Sequence, residues 1–261
     1  MKRELKREIK QDEFASWLER AIAWGDAHRD EVRIGVGVTV VLVAAFGALA
    51  YFQSHRAREA DRAFRDARTA FEAPVASELP SEAERPAGQV FATAEDKYKT
   101  AAAAFEGVAR RYESSAVGAR AGYYAALARI ELGQYAEAEK ALRELQGRGD
   151  DELVSDLSRV ALGNLYRRSG ETDRALETYR GVITDPETSV PRDYALHCLA
   201  GTLEDAGRYP EAREAFQALV QEFPASVYTP AARARVDYLQ TAAAGASAAA
   251  AAAPDATAAE S

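Results

Sequence analysis

Residues 158–183 read SRVALGNLYRRSGETDRALETYRGVI, and this stretch decides the fold. Two helix-forming segments flank one glycine, Gly170, where a left-handed backbone conformation is favourable for glycine and for few other residues. Ala175 follows five residues later and is small enough to let two helices approach closely. Tyr179 lies one helical turn beyond Ala175, on the same face. The stretch therefore predicts a helix, a glycine turn and a second helix.

The same arrangement recurs along the chain with a period of 37 residues. The small residue of the second helix is found at Ala101, Ala138, Ala175 and Ala212, and the bulky residue one turn later at Phe105, Leu142, Tyr179 and Phe216. The turn glycine is found at Gly133, Gly170 and Gly207. A single helical hairpin cannot bury its apolar face, but stacked hairpins can. We therefore predict an all-α fold in which residues 94–240 form an α-solenoid of helical hairpins.

This pattern resembles the tetratricopeptide repeat (TPR). The third unit matches the motif best, with Leu162, Gly163, Tyr166, Gly170, Ala175 and Tyr179 at the motif positions. The usual period of the family is about 34 residues, so each unit here has a longer linking loop. The first unit keeps only Ala101 and Phe105, and we expect the segment after residue 52 to supply its first helix.

A run without charged residues precedes the repeats. Residues 34–52 read IGVGVTVVLVAAFGALAYF, which is 19 residues, and about 20 residues cross the hydrocarbon core of a bilayer. Tyr51 and Phe52 suit one membrane interface, and Arg33 can snorkel at the other. A cleaved signal sequence begins nearer the N-terminus and has a shorter apolar region, so it fits less well. A buried core helix also fits less well, because this run is apolar on every face whereas the helices downstream are two-faced. We predict a single transmembrane helix.

The remaining segments differ in composition. Residues 1–33 are rich in both charges, and we expect this region to be cytoplasmic. It carries a narrow apolar stripe at Phe14, Trp17, Leu18, Ala21 and Trp24. Residues 53–93 predict a juxtamembrane helix followed by a Pro-rich loop that ends it. Residues 241–261 are rich in alanine and lack bulky apolar side chains, so we predict a disordered tail.

Composition and motifs argue against several functions. The net charge of −8 disfavours a nucleic-acid partner, which requires a basic surface. The sequence contains no glycine-rich phosphate loop, HExxH or GxSxG motif, and its three histidines are far apart. Cys198 is the only cysteine, so no internal disulfide can form. His197 and Cys198 are adjacent on a helix and point about 100° apart, which disfavours a nucleophile–base pair. We predict no enzyme activity, no cofactor and no metal.

The family resemblance implies where a partner protein would bind. In tetratricopeptide proteins the side chains of the first helices line a concave groove. This geometry assigns Arg120, Tyr123, Tyr124 and Leu127 from the second unit and Val160, Asn164, Arg167 and Arg168 from the third. Asn164 with Arg168 partly matches the family's clamp for a C-terminal carboxylate. Tyrosine and arginine are enriched among contact residues of interfaces, and the alternative is that these tyrosines and arginines are ordinary surface or packing residues.

The architecture implies a cellular setting. The long period and the ending FPASVYTPAARAR at 223–235 resemble the bacterial envelope branch of these repeats. That branch includes outer-membrane assembly lipoproteins and the cell-division coordinator of the Tol–Pal system. A charged N-terminal region, one anchor and a hairpin stack are similar to the ancillary subunit family of the SecYEG translocon. This resemblance implies an adaptor anchored in the lipid bilayer of the inner membrane, with periplasmic repeats that bind translocon subunits, periplasmic chaperones or other envelope proteins. The alternative is an oligomerising scaffold of a cell-division or envelope-biogenesis complex.

Overall fold

The computed structural model of the chain describes residues 17, 19–20, 23–24, 27–79, 88–148 and 151–252. Its regular structure is helical, apart from an isolated bridge between Val75 and Phe91, and the predicted all-α fold is confirmed. The main α-helices in these ranges are α1 (Arg29–Glu72), α2 (Ala94–Arg111), α3 (Ala116–Glu131), α4 (Tyr135–Arg148), α5 (Glu152–Ser169), α6 (Thr172–Thr184), α7 (Arg192–Asp205), α8 (Tyr209–Glu222) and α9 (Thr229–Ala252). A short 3-10 helix covers Ala76–Glu78.

The chain divides into two compact units, Met1–Glu59 and Ala60–Ser261. In the first unit, α1 contains the apolar run and is the one described helix long and apolar enough to cross a membrane, by length and composition. No part of its most apolar window is buried, which disfavours a core helix. Of the predicted N-terminal stripe, Phe14, Leu18 and Ala21 lie outside the described residues, whereas Trp17 and Trp24 are exposed.

From α2 onward, each helix of the second unit packs against the next one in the chain. The last part of α1, residues 60–72, supplies the first helix of the first hairpin. Its rings contact α2, with Phe64 at 5.5 Å from Phe105 and Phe71 at 5.7 Å from Tyr98, measured between ring centroids. The pairs α3/α4, α5/α6 and α7/α8 form the next three hairpins, and α9 packs on the last one.

The repeat register is the predicted one. The four alanines at 101, 138, 175 and 212 are fully buried, and so are the bulky residues one turn later, with Phe216 the most exposed of them at 3%. Gly133, Gly170 and Gly207 have φ of +72°, +84° and +72°, so each turn uses the left-handed conformation that glycine adopts readily. The N–H of the residue after each glycine donates to a carbonyl in the preceding helix, for example Glu171 to Tyr166 at 2.8 Å. This pattern closes each helix in the way a Schellman motif does.

Two segments lie outside the repeated hairpins, namely the C-terminal end of α9 and the Pro-rich loop. The helix α9 continues to Ala252, within the segment 241–261 for which we predict disorder, because alanine has the highest helix propensity of all residues. Residues 253–261 and the Pro-rich residues 80–87 lie outside the described ranges. The two ends of the Pro-rich loop meet, since the N–H of Ala76 donates to the carbonyl of Phe91 at 2.8 Å.

Candidate functional site

A cleft of about 750 Å³ opens on the face formed by the first helices of the last two hairpins and by α9. The helices α5 and α7 are first helices of consecutive hairpins and contact each other directly. The cleft is lined by Asn164 and Arg167 from α5, by Tyr194, His197, Cys198, Gly201, Glu204 and Asp205 from α7, by Tyr209 and Phe216 from α8, and by Ala231, Arg235 and Tyr238 from α9. Because residues from four helices converge here, the solenoid stacking itself creates the site.

Aromatic rings form one wall of the cleft. The imidazole of His197 stacks on the ring of Tyr228 with 4.6 Å between centroids, and Tyr194 lies 5.8 Å from the same ring. The loop before α9 positions Tyr228, because the Thr229 hydroxyl donates to the carbonyl of Phe223 at 2.6 Å. These separations lie within the range that aromatic pairs favour, and the rings give the wall an apolar face.

The titratable groups of this wall are held neutral. Burial, with a smaller contribution from the nearby Arg167 guanidinium, lowers the pKa of His197, so its imidazole is uncharged at neutral pH. Burial also raises the pKa of the Cys198 thiol, which disfavours the reactive thiolate. Among the residues that the structure describes, no group of three or more His, Cys, Asp and Glu side chains could hold a metal ion. The wall therefore presents a neutral imidazole and a protonated thiol beside its aromatic rings.

Ion pairs at the rim join successive first helices. Arg167 of α5 donates to Asp205 of α7 with 2.7 Å between Nε and Oδ2. Arg235 of α9 donates to Glu204 of α7 with 3.0 Å between Nε and Oε2. One hairpin earlier, Arg168 pairs with Glu131 in the same way. Partly exposed pairs of this kind contribute about 0–1 kcal/mol each, so their main effect is to neutralise the charge around the cleft.

The predicted groove residues of the third unit have different environments. Asn164 and Arg167 line the cleft. The Asn164 side-chain oxygen accepts a hydrogen bond from the Tyr179 hydroxyl at 2.7 Å, and Arg168 pairs with Glu131, so both members of the suggested carboxylate clamp have internal partners. Val160 is only 2% exposed and packs in the core, where it is not accessible to a partner.

The predicted groove residues of the second unit do not line this cleft. Tyr124 belongs to an aromatic cluster between the first two hairpins, with its ring 5.2 Å from that of Phe105. The Arg120 guanidinium lies over the Phe64 ring at 5.6 Å from the centroid. Tyr123 and Leu127 are half-buried against the core, and burial raises the pKa of Tyr123 to about 12. Their role in binding stays a prediction.

Sequence reasoning missed most of the cleft. Applying the 37-residue period to the predicted third-unit positions 160, 164, 167 and 168 leads to His197, Gly201, Glu204 and Asp205, all of which line the cleft. The signal was therefore present in the repeat. The contribution of α9, with Arg235 and Tyr238, depends on a helix beyond the last complete hairpin.

Stacked hairpins with a cleft along the first helices define the class of this protein as a helical-repeat scaffold, a class that generally mediates protein–protein interactions. The chain matches the sequence model of a family described as tetratricopeptide repeat-like domain over residues 23–241. This match spans most of the chain, and the protein belongs to that family.

Solved structures with the same kind of fold are distant in sequence. The nearly identical TPR-like repeats of a putative kinesin light chain from Podosopora anserina are 17% identical, with a TM-score of 0.47 over 57% of this chain and 81% of that one. A tetratricopeptide repeat protein from Parabacteroides merdae is 17% identical, with a TM-score of 0.42 over 56% of this chain and 55% of that one. These likenesses concern the fold alone. No curated protein sequence matches the chain.

Proposed function

We propose that this protein is a membrane-anchored adaptor that binds an extended segment of another protein in the cleft between α5, α7 and α9. The observation that carries the proposal is the cleft itself, about 750 Å³ in volume and lined by first-helix side chains of consecutive hairpins. Tyrosine and arginine residues, which are enriched among strong contact residues of protein interfaces, lie around it as Tyr194, Tyr238, Arg167 and Arg235.

The cellular setting is part of the same proposal. The apolar run of residues 34–52 spans the bacterial inner membrane, with residues 1–33 in the cytoplasm and the repeats in the periplasm. The partners are translocon subunits, periplasmic chaperones or other envelope proteins. Support comes from the length of the run and from the resemblance of the architecture to the ancillary subunit family of the SecYEG translocon. Close to the run, the Lys and Arg residues slightly favour the opposite orientation, with three at 19–33 and four at 53–67. Against this, the whole N-terminal region carries eight before the run, and long domains translocate largely regardless of charge.

Affinity purification of the crosslinked, detergent-extracted full chain tests the proposal. We expect mass spectrometry to recover SecY-type translocon subunits together with periplasmic chaperones. Recovery of division or outer-membrane assembly proteins without translocon subunits would contradict the translocon link and favour the oligomerising scaffold.

A matched pair of variants tests whether the cleft is responsible. Ala231 is exposed and lines the cleft, so Ala231→Trp fills part of it with a large ring. Ala103 is exposed on α2, away from the cleft, so Ala103→Trp adds the same ring elsewhere. We expect the first variant to lose the partners and the second to keep them. Equal recovery with both variants would show that the partners bind outside the cleft.

A further inference from the structure

Gly201 lies in the middle of α7, where glycine is less favourable for a helix than alanine. A Cβ atom built at Gly201 meets no heavy atom within 4 Å, so packing does not require a glycine here. Gly163 of α5 is the opposite case, because its Cβ would lie 2.5 Å from the Tyr179 ring. Packing within the repeat therefore does not explain why a residue that destabilises the helix occupies position 201.

The positions equivalent to Gly201 in the other repeats all carry a side chain. The positions 37 residues apart in the series of Gly201 are Leu127, Asn164 and Tyr238, and each carries a larger side chain. Asn164 and Tyr238 line the same cleft as Gly201. The missing side chain therefore leaves a slot in the cleft wall, between the side chains of α5 and α9, where the backbone of α7 is accessible.

Aromatic side chains surround this slot. His197 and Tyr194 precede Gly201 by four and seven residues, so all three lie on one face of α7. Tyr238 approaches from α9 and is 57% exposed, and Phe216 of α8 contributes to the lining. A ring entering the slot can make offset or edge contacts with these rings, which favour centroid separations of about 4.5–7 Å.

The charges around the slot are balanced within the protein. Arg167 is paired with Asp205, and Arg235 is paired with Glu204, so two positive and two negative groups neutralise one another. The Arg235 guanidinium also lies 4.9 Å from the centroid of the Tyr238 ring. A strongly charged segment would gain little in this environment, because it would have to displace one of these pairs.

We propose that the slot at Gly201 takes an aromatic side chain, Phe, Tyr or Trp, from an uncharged extended segment of a partner protein. This inference rests on the proposed function and specifies the chemistry of the bound segment. The chain's own C-terminal residues, 241–261, contain no aromatic residue and are not the occupant. The glycine lets the partner's side chain reach the helix backbone, and the surrounding rings provide its contacts.

Selection from a phage-displayed random-peptide library on the purified full chain in detergent tests the inference. The selected peptides are expected to share an aromatic residue at one position, flanked by uncharged residues. Replacing that residue with alanine weakens binding on the order of tenfold or more, as for an anchoring residue in a pocket. Gly201→Leu fills the slot and weakens binding of the unchanged peptides to a similar degree.

The control variant is Gly107→Leu on α2, where the glycine is exposed and its Cβ also meets nothing within 4 Å. Both variants gain helix propensity, and circular dichroism melts check that both remain folded. The inference is overturned if the selected peptides share no aromatic residue or if Gly201→Leu binds them as tightly as the wild type. If the selected peptides lack an aromatic residue but bind Ala231→Trp more weakly than the wild type, the result supports the proposed function and contradicts the slot at Gly201. Failure to select any peptide counts against both.

Discussion

Gly163→Ala perturbs a close contact between the two helices of the third hairpin. A Cβ atom at Gly163 would lie 2.5 Å from Cε1 and 2.8 Å from Cζ of Tyr179, well inside van der Waals contact. The Tyr179 ring is fully buried, and its hydroxyl donates to Asn164 at 2.7 Å, so the ring cannot withdraw without losing contacts. The units on either side carry Ala126 and Ala200 at the position equivalent to Gly163, and Leu142 and Phe216 at the position equivalent to Tyr179.

The expected magnitude follows from two opposing effects. Overpacking a core contact costs about 1–3 kcal/mol, and replacing a helical glycine with alanine offsets up to about 1 kcal/mol of this. We expect Gly163→Ala to lower the free energy of unfolding by about 1–2 kcal/mol. For an array of this size, each kcal/mol shifts the Tm by about 2–4 °C, so the Tm should fall by about 2–8 °C.

Far-UV circular dichroism melts of the full chain in detergent measure this effect. Gly107→Ala is the matched control, because Gly107 is an exposed helical glycine with no atom within 4 Å of its Cβ, and its Tm should stay the same or rise. In a Tyr179→Leu background the clash is absent, so Gly163→Ala should no longer destabilise. An unchanged Tm in the wild-type background, or an equal loss in both backgrounds, would refute the argument that this contact limits the spacing of α5 and α6.

Three other predictions concern packing, pH and topology. Ala175 is fully buried, so Ala175→Leu should lower the free energy of unfolding, measured with denaturant, by about 1–3 kcal/mol. The control Ala136→Leu, on the exposed face of α4, should leave this free energy nearly unchanged. No effect of Ala175→Leu would mean that the repeat register is wrong. Because burial lowers the pKa of His197 in the folded chain, the unfolded chain binds more protons, and stability should decrease as the pH falls through about 6.5. His197→Phe should flatten this dependence between about pH 7.5 and 5.5, and an unchanged profile would contradict the assignment. With periplasmic repeats, alkaline phosphatase fused to the C-terminus should be active, and green fluorescent protein fused there and exported by the same route should not fluoresce. The opposite pair of results would place the repeats in the cytoplasm.

The fold is predictable from the sequence because its determinants are local and recur. Each hairpin needs one residue that adopts a positive φ and one small residue where two helices meet, and both requirements leave a mark on residue identity. The structure uses Gly133, Gly170 and Gly207 for the first requirement and buries Ala138 and Ala175 completely for the second. A period of 37 residues then fixes which helices are equivalent, so the register follows without knowledge of distant contacts.

The candidate site is less predictable because it depends on contacts between repeats. The first-helix rule placed Asn164 and Arg167 at the cleft, but it could not show that Val160 is buried. The pairing of Arg168 with Glu131 joins residues far apart in sequence, and neither residue type reveals its partner. The position of the cleft also depends on α9, whose alanine-rich sequence predicts little beyond helix propensity.

Site-specific photo-crosslinking from inside the cleft tests the central claim most directly. A benzophenone amino acid replaces Ala231 in the cleft or Ala103 on the outer face of α2, in the full chain expressed in bacterial membranes. On irradiation we expect a discrete crosslinked partner from position 231 and none from position 103, and we expect Gly201→Leu to reduce the yield of the product. Identical products from both positions, or no product from position 231, would contradict the account of the cleft as the protein-binding site.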